Sequence, residues 1–215
     1  MGRSRSRRGE GEHLRDELLD ATEALLAETG DERAVTVRAI VDRVGVTPPS
    51  LYRHFDSKAD VVREAVARRF GSLARAIGAG AGPPAERGDA AGALQGGCLA
   101  YLQWAADEPG AYALLFTSRR DTLLPGGPSG TEAFEALTAG VTACQQAGLA
   151  RTGDPQRMAM LIWAGLHGLA SLTAARPSID WPPIEELVED LLTGIVGLPP
   201  DRVTEAASHA ATSTS

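Results

Sequence analysis

Residues 35–66 read VTVRAIVDRVGVTPPSLYRHFDSKADVVREAV, and the order of signals in this stretch decides how the chain folds. Thr36 is an N-cap residue ahead of an apolar-periodic run, so it opens a short helix from Val37 to about Val44, closed by Gly45. Thr47 is the next N-cap, and Pro48 takes the first helical position, where its missing N–H costs nothing. That second helix runs to about Phe55. Ser57, with Asp60 three residues on, makes a capping-box-like start for a longer helix over roughly 58–78. Val46, Leu51 and Phe55 are the apolar anchors, with Leu51 and Phe55 set to pack on Ile40, Val44 and the first helix. Two short helices crossed by a tight turn at Gly45 have helix-turn-helix spacing.

Working outward, helical periodicity begins at His13. Leu14, Leu18, Ala21 and Leu25 lie on one face, Leu19 and Leu26 widen it, and Gly30 supplies the stop. Downstream, GAGAGPPAERG (78–88) is a Gly/Pro break that ends the first module. Asp89 can cap a helix whose stripe is Leu94, Cys98, Tyr101, Leu102 and Ala105, and Pro109 begins a short one through Tyr112 and Phe116. Residues 117–130 read as a mobile loop, and a helix spans about 131–147 up to Gly148. Asp154-Pro155 opens a long helix to Ala175, and Ile184, Leu187, Val188, Leu191, Leu192 and Ile195 form the stripe of a last one. No strand pattern and no internal repeat is visible. The expected fold class is all-α, with about nine helices.

The chain has 215 residues, 43% of them hydrophobic and 5% aromatic, with 24 Gly. It can therefore bury a core, and its composition favours closely packed helices over strands. Cys98 and Cys144, with no Cys-x-x-Cys pair, exclude a disulfide scaffold and a cysteine-based zinc site, and fit a reducing cytoplasm. The net charge of −7 is unevenly spread: residues 1–75 carry 14 Lys and Arg against 13 Asp and Glu, residues 76–215 carry 7 against 15. The N-terminus leads into charged residues and not into an apolar core, unlike a secretory signal. Met158–Ala175, eighteen uncharged residues, reaches the lower edge of a bilayer span. His167, Ser171 and Thr173 within it, and Arg157 and Arg176 at its ends, favour instead a helix buried in a soluble, cytoplasmic protein with no membrane partner.

The ordered set Thr36, Ile40, Gly45-Val46, Leu51-Tyr52-x-His54-Phe55 and Ser57-Lys58 closely resembles the TetR (tetracycline-repressor-like) family of bacterial transcriptional regulators, over roughly residues 13–66. The resemblance implies that residues 13–60 form a helix-turn-helix domain for a double-stranded DNA operator. Arg38 then stands where the family reaches a base edge, and Arg matches O6 and N7 of guanine. Ser50 and Arg53, on the exposed side of the recognition helix, would read bases or phosphates. Thr36, Thr47, Tyr52, His54 and Lys58 look like phosphate contacts, with the helix N-terminus at 47–50 adding its dipole. Tyr52 and His54 also fit plain packing, and Thr36 and Thr47 are caps in either case. Pro48 and Pro49 depart from many relatives: proline offers only apolar contact, such as with a thymine methyl. Residues 1–12, with Arg3, Arg5, Arg7 and Arg8, read either as an arm for the minor groove or phosphates, or as a disordered solubilising tail.

Trp163, His167 and Gly168 resemble a TetR C-terminal domain type named for its Trp-His-Gly signature. On that reading residues 61–198 bind a ligand and dimerise, through the helices near 155–175 and 184–195, and 199–215 is a disordered tail. The helix at 155–175 is apolar on two faces, and a helix buried on two sides must meet something beyond its own domain. Tyr101, Trp104, Tyr112, Phe116, Phe134, Leu137, Met158, Trp163 and His167 are the large side chains a pocket for a small, mostly apolar inducer needs, although aromatics at helical spacing equally suit plain core. No cofactor and no metal is expected. No nucleophile sits in a motif and the Gly-Ala repeat follows a helix, so an enzyme has little support. The expectation is a palindrome-binding repressor released by ligand. The alternative is a dimeric sensor or adaptor that keeps the fold without binding an operator.

Overall fold

The structure, a computed structural model, describes residues 8–82, 90–116 and 128–199, with side chains over 11–82, 90–116 and 131–199. Arg3, Arg5, Arg7, the Asp89 cap, most of the expected loop at 117–130 and the tail from 200 lie outside the described residues. Nine helices and no strand occur among those described: α1 (Arg8–Thr29), α2 (Val37–Val44), α3 (Pro48–Leu51), α4 (Lys58–Gly80), α5 (Ala90–Asp107), α6 (Pro109–Phe116), α7 (Pro128–Gln146), α8 (Pro155–Ala175) and α9 (Ile184–Val196).

The caps read from the sequence account for several boundaries. Thr36 Oγ1 accepts from the Ala39 amide at 3.1 Å, and Gly45 ends α2 at φ 78°, with its N–H on the Val41 carbonyl. Asp154 accepts from the amides of Gln156 and Arg157 to start α8. Several boundaries differ from expectation: α7 begins at Pro128, inside the expected loop at 117–130, and α4 runs to Gly80. α1 begins at Arg8 and not at His13, since residues ahead of the apolar stripe can join a helix already nucleated by packing. α3 stops at Leu51; the chain continues as turns to Phe55, whose amide still reaches the Leu51 carbonyl at 3.0 Å.

The chain divides into two compact units. The first holds α1, α2, α3, α4 as far as Gly71, and α6; the second holds α4 from Ser72, then α5, α7, α8 and α9. In the first, Leu18, Leu19, Leu26, Ile40, Val41, Leu51, Phe55, Val61, Val62 and Leu114 form one buried core. At about 1.5–3 kcal/mol per buried large aliphatic side chain, this cluster is what keeps three short helices folded. Expectation placed α6 with the C-terminal module, whereas Leu114 lies in the core of the first unit and Phe116 meets Phe70 edge-on at 6.2 Å. In the second unit α5, α7, α8 and α9 pack on one another around Leu94, Cys98, Val141, Cys144, Ile162, Leu166, Val188 and Leu192. There the end of α4 crosses α5 through Gly80 and Gly96: a Cβ on either would strike the other's carbonyl oxygen.

Candidate nucleic-acid interface

Every element of the helix-turn-helix is fixed from beneath, which leaves its outer side chains free of packing duty. Ile40, Leu51 and Phe55, each at most 4% exposed, point inward. Thr36, Arg38, Thr47, Pro48, Pro49, Tyr52 and Arg53 are all exposed. Arg38 has 89% of its side chain in solvent and pairs only loosely with Asp42, Nε to Oδ2 at 3.5 Å. Such an exposed pair contributes about 0.3–0.5 kcal/mol, small against a bidentate base contact. Asp42 was not singled out from the sequence, though its i,i+4 spacing to Arg38 is a legible signal.

Thr47 sits at the N-cap of α3 without a side-chain capping bond. The reason is the Pro48-Pro49 pair, which leaves the first turn without donors, while the Ser50 amide bonds the Thr47 carbonyl at 2.8 Å. The expected helix-terminus contribution at 47–50 thus has few N–H groups to offer. Thr47 Oγ1 instead lies 3.3 Å from Ser50 Oγ, and Arg53 Nη2 donates to that same Ser50 oxygen at 3.0 Å. Ser50, expected to be exposed, is only 9% so, and it holds Arg53 from below. Tyr52 is 52% exposed. His54 is half-buried with its ring edge near Gly11 of α1.

Lys58, expected to reach a phosphate, has its ammonium on two main-chain oxygens, Glu32 O at 3.0 Å and Val35 O at 3.1 Å. Behind this face an ion network joins α1 to α4 and α6. Glu23, 4% exposed, receives Arg68 Nε at 2.7 Å and also Arg69; Arg68 reaches Asp20 as well, and Arg69 reaches Glu108 at 3.5 Å. The carboxylates hold the Arg68 guanidinium well above its ordinary pKa, mainly through its bond to Glu23. Arg43 to Glu28, at 2.9 Å, ties α2 to α1 and lowers the Glu28 pKa. Arg15 stacks over the Phe55 ring at 5.1 Å.

The expected inducer-pocket residues belong to both units. Tyr112 and Phe116, 5.1 Å apart, belong to the first unit. In the second unit, Tyr101 and Trp104 are buried, with Trp104 Nε1 donating to Ser72 Oγ at 3.3 Å. Phe134 and Trp163 meet edge-on at 6.4 Å, Met158 is 7% exposed, and burial lowers the pKa of half-buried His167. An open groove of about 400 Å³ runs along α7, but its lining shares only Phe134 with the expected set.

By length and composition α8 is apolar enough to cross a bilayer. One face of it, Met158, Ala159, Ile162, Leu166 and Ala170, is packed within its own unit, and Gly165 lets Leu191 of α9 come close. Of its other apolar residues, Met160, Leu161 and Leu172 are 57%, 48% and 51% exposed.

Comparison with known proteins accounts for this arrangement. Residues 18–65 match the family model described as bacterial regulatory proteins, tetR family, and residues 94–195 match the tetracycline-repressor-like C-terminal domain, which gives the class and not the Trp-His-Gly subtype. The HTH-type transcriptional repressor KstR2 of Rhodococcus jostii is 54% identical over 50 residues, 23% of this chain and 24% of that protein. The aligned part thus spans about a quarter of that relative. A TetR family transcription regulator from Marinobacter aquaeolei superposes with a TM-score of 0.73 at 16% identity, over 88% of this chain and 99% of that one. The fatty acid degradation regulator FadR from Bacillus halodurans does so at 0.70 and 15% identity, over 88% and 97%. With both its helix-turn-helix and its C-terminal bundle matched, the chain belongs to the TetR family of bacterial transcriptional regulators.

Proposed function

We propose that this chain is a cytoplasmic, non-enzymatic repressor. Its α2–α3 surface enters the major groove of a palindromic operator, and a small apolar ligand releases it. The observation that carries the reading is the exposure of Arg38, Tyr52 and Arg53 in a helix-turn-helix whose Ile40, Leu51 and Phe55 are buried. Arg38 reads a base edge; Thr36, Thr47 and Tyr52 contact phosphates; Pro48 and Pro49 offer apolar contact; and Arg53, aimed by Ser50, reads a base or phosphate. His54 supports the face from the α1 side.

Two half-sites require two copies. The exposed Met160, Leu161 and Leu172 on α8 and the half-buried stripe of Ile184, Leu187, Leu191 and Ile195 on α9 supply the apolar surface for a homodimer. The inducer lies in the second unit, among Tyr101, Trp104, Phe134, Met158, Trp163 and His167. DNA and ligand then oppose each other with a coupling of about 1–3 kcal/mol.

The test is equilibrium binding to duplexes selected by the protein from a random pool, against scrambled duplexes, over a range of salt. Salt-dependent preference for the selected duplex, weakened about 10-fold or more by Arg38→Ala and by Tyr52→Ala, is the expected result. Equal affinity for both duplexes identifies an adaptor that kept the fold.

A further inference from the structure

The chain's 21 basic residues include a single lysine, Lys58; every other position is arginine. It occupies the first residue of α4, where the positive end of the helix dipole disfavours a cation. A lysine held at that place has a specific task, and its bonds show which. Its Nζ donates to the carbonyls of Glu32 and Val35, 26 and 23 residues earlier in the chain.

Those two carbonyls bracket the turn that leads into α2. Within it the Arg33 amide bonds Asp31 Oδ1 at 2.8 Å, the Ala34 amide bonds the Asp31 carbonyl at 3.1 Å, and the Val35 amide bonds the Glu32 carbonyl at 3.3 Å. Val35 is 1% exposed and is followed at once by Thr36, whose Oγ1 caps α2 through the Ala39 amide. Arg38 stands two residues further on. The peptide that aims Thr36 and Arg38 is thus tethered to the start of α4 through one ammonium group.

A compact ammonium with three rotatable protons suits two converging carbonyls. A planar guanidinium carries its donors in a fixed fork that matches a carboxylate or phosphate instead. We infer that Lys58 is a positioning residue for operator recognition: by holding the Glu32 and Val35 carbonyls it sets the place of Thr36 and Arg38. This rests on the operator-binding reading above.

The test uses the full chain with Lys58→Met, which removes the donors, and Lys58→Arg, which keeps the charge. Amide hydrogen exchange of the DNA-free protein is followed at Ala34, Val35 and Ala39, with α8 amides as the control for global unfolding. Binding is measured on the selected and scrambled duplexes across salt. Exchange at least 10-fold faster at those three amides in both variants, with α8 unchanged, is expected. With it come a 10-fold or larger loss of affinity for the selected duplex and little change on the scrambled one. Lys58→Arg carries the decision should Lys58→Met fail to fold. Exchange within twofold of the parent in the folded variants overturns the inference. So does full operator affinity in Lys58→Arg, and so does an equal loss on both duplexes, the signature of a lost phosphate contact alone. A parent protein that binds both duplexes equally overturns the operator reading while leaving the exchange result to stand on its own.

Discussion

Two residues show how a side chain's role follows from what it touches. Ser50 is nearly buried, and its hydroxyl receives the Arg53 guanidinium at 3.0 Å. Ser50→Ala leaves the fold intact and frees Arg53 to wander; operator affinity is expected to fall by about 1 kcal/mol, the size of one ordinary hydrogen bond. The salt slope stays nearly unchanged, because the Arg53 charge is retained, and fluorescence anisotropy at two salt concentrations checks both points. His167 is the second case. Burial lowers its pKa below the ordinary 6.5, so the unfolded chain takes up its proton first as the solution is acidified. The contribution of His167 to stability is therefore complete above about pH 6.5 and declines as pH falls towards the depressed folded value. Urea unfolding between pH 7.5 and 5.5 should show a steeper loss in the parent than in His167→Gln.

At the scale of elements, the reading head is a set of short helices whose angles are fixed by turns and ion pairs. Glu23 is the best-buried carboxylate of the head and serves two arginines from α4. Removing one partner of a fully buried pair costs about 3–5 kcal/mol. Arg68 and Arg69 are about a third exposed and keep Asp20 and Glu108, so Glu23→Ala is expected to cost about 2 kcal/mol. Chemical denaturation measures it, and a loss under 0.5 kcal/mol would show that solvent replaces the carboxylate. Local signals made most of these elements legible. Thr36, Gly45, Asp154 and the apolar spacing in α1 act within a few residues of themselves, so the order of helices could be read directly. The end of α4 could not. GAGAGPP looks like a break, yet α4 continues to Gly80, because there the absence of side chains lets it cross α5 at Gly96. A glycine signals a stop and a close crossing by the same letter; only the neighbour distinguishes them.

At the scale of the molecule, charge and apolar surface divide the labour. The acidic residues 76–215 are poorly suited to a phosphate backbone, and the Arg-bearing first 75 residues are balanced enough to approach it. The exposed leucines of α8 make the case for a second copy testable. The double substitution Leu161→Glu with Leu172→Glu is expected to convert a dimer of this chain into a monomer by sedimentation velocity while leaving helix content unchanged. Operator affinity should fall at least 10-fold with it, since each monomer reaches one half-site. A monomeric parent protein, or a double variant that remains dimeric, would remove α8 from the interface.

Periodicity, caps and one dense motif were enough for the helical class and the helix order, because both depend on residues close together in the chain. Long-range contact decided the remainder. Lys58 looks like a surface cation in any linear reading and becomes a main-chain tether once Glu32 and Val35 fold back beside it. Ser50 turns inward because Arg53 and Thr47 close over it. α6, whose aromatics suit a pocket as well as a core, is drawn into the first unit by Leu114 and by Phe116 against Phe70. Local order is written in neighbouring residues, whereas a side chain's partner across the fold is chosen by packing, and packing exists only when the whole chain is assembled.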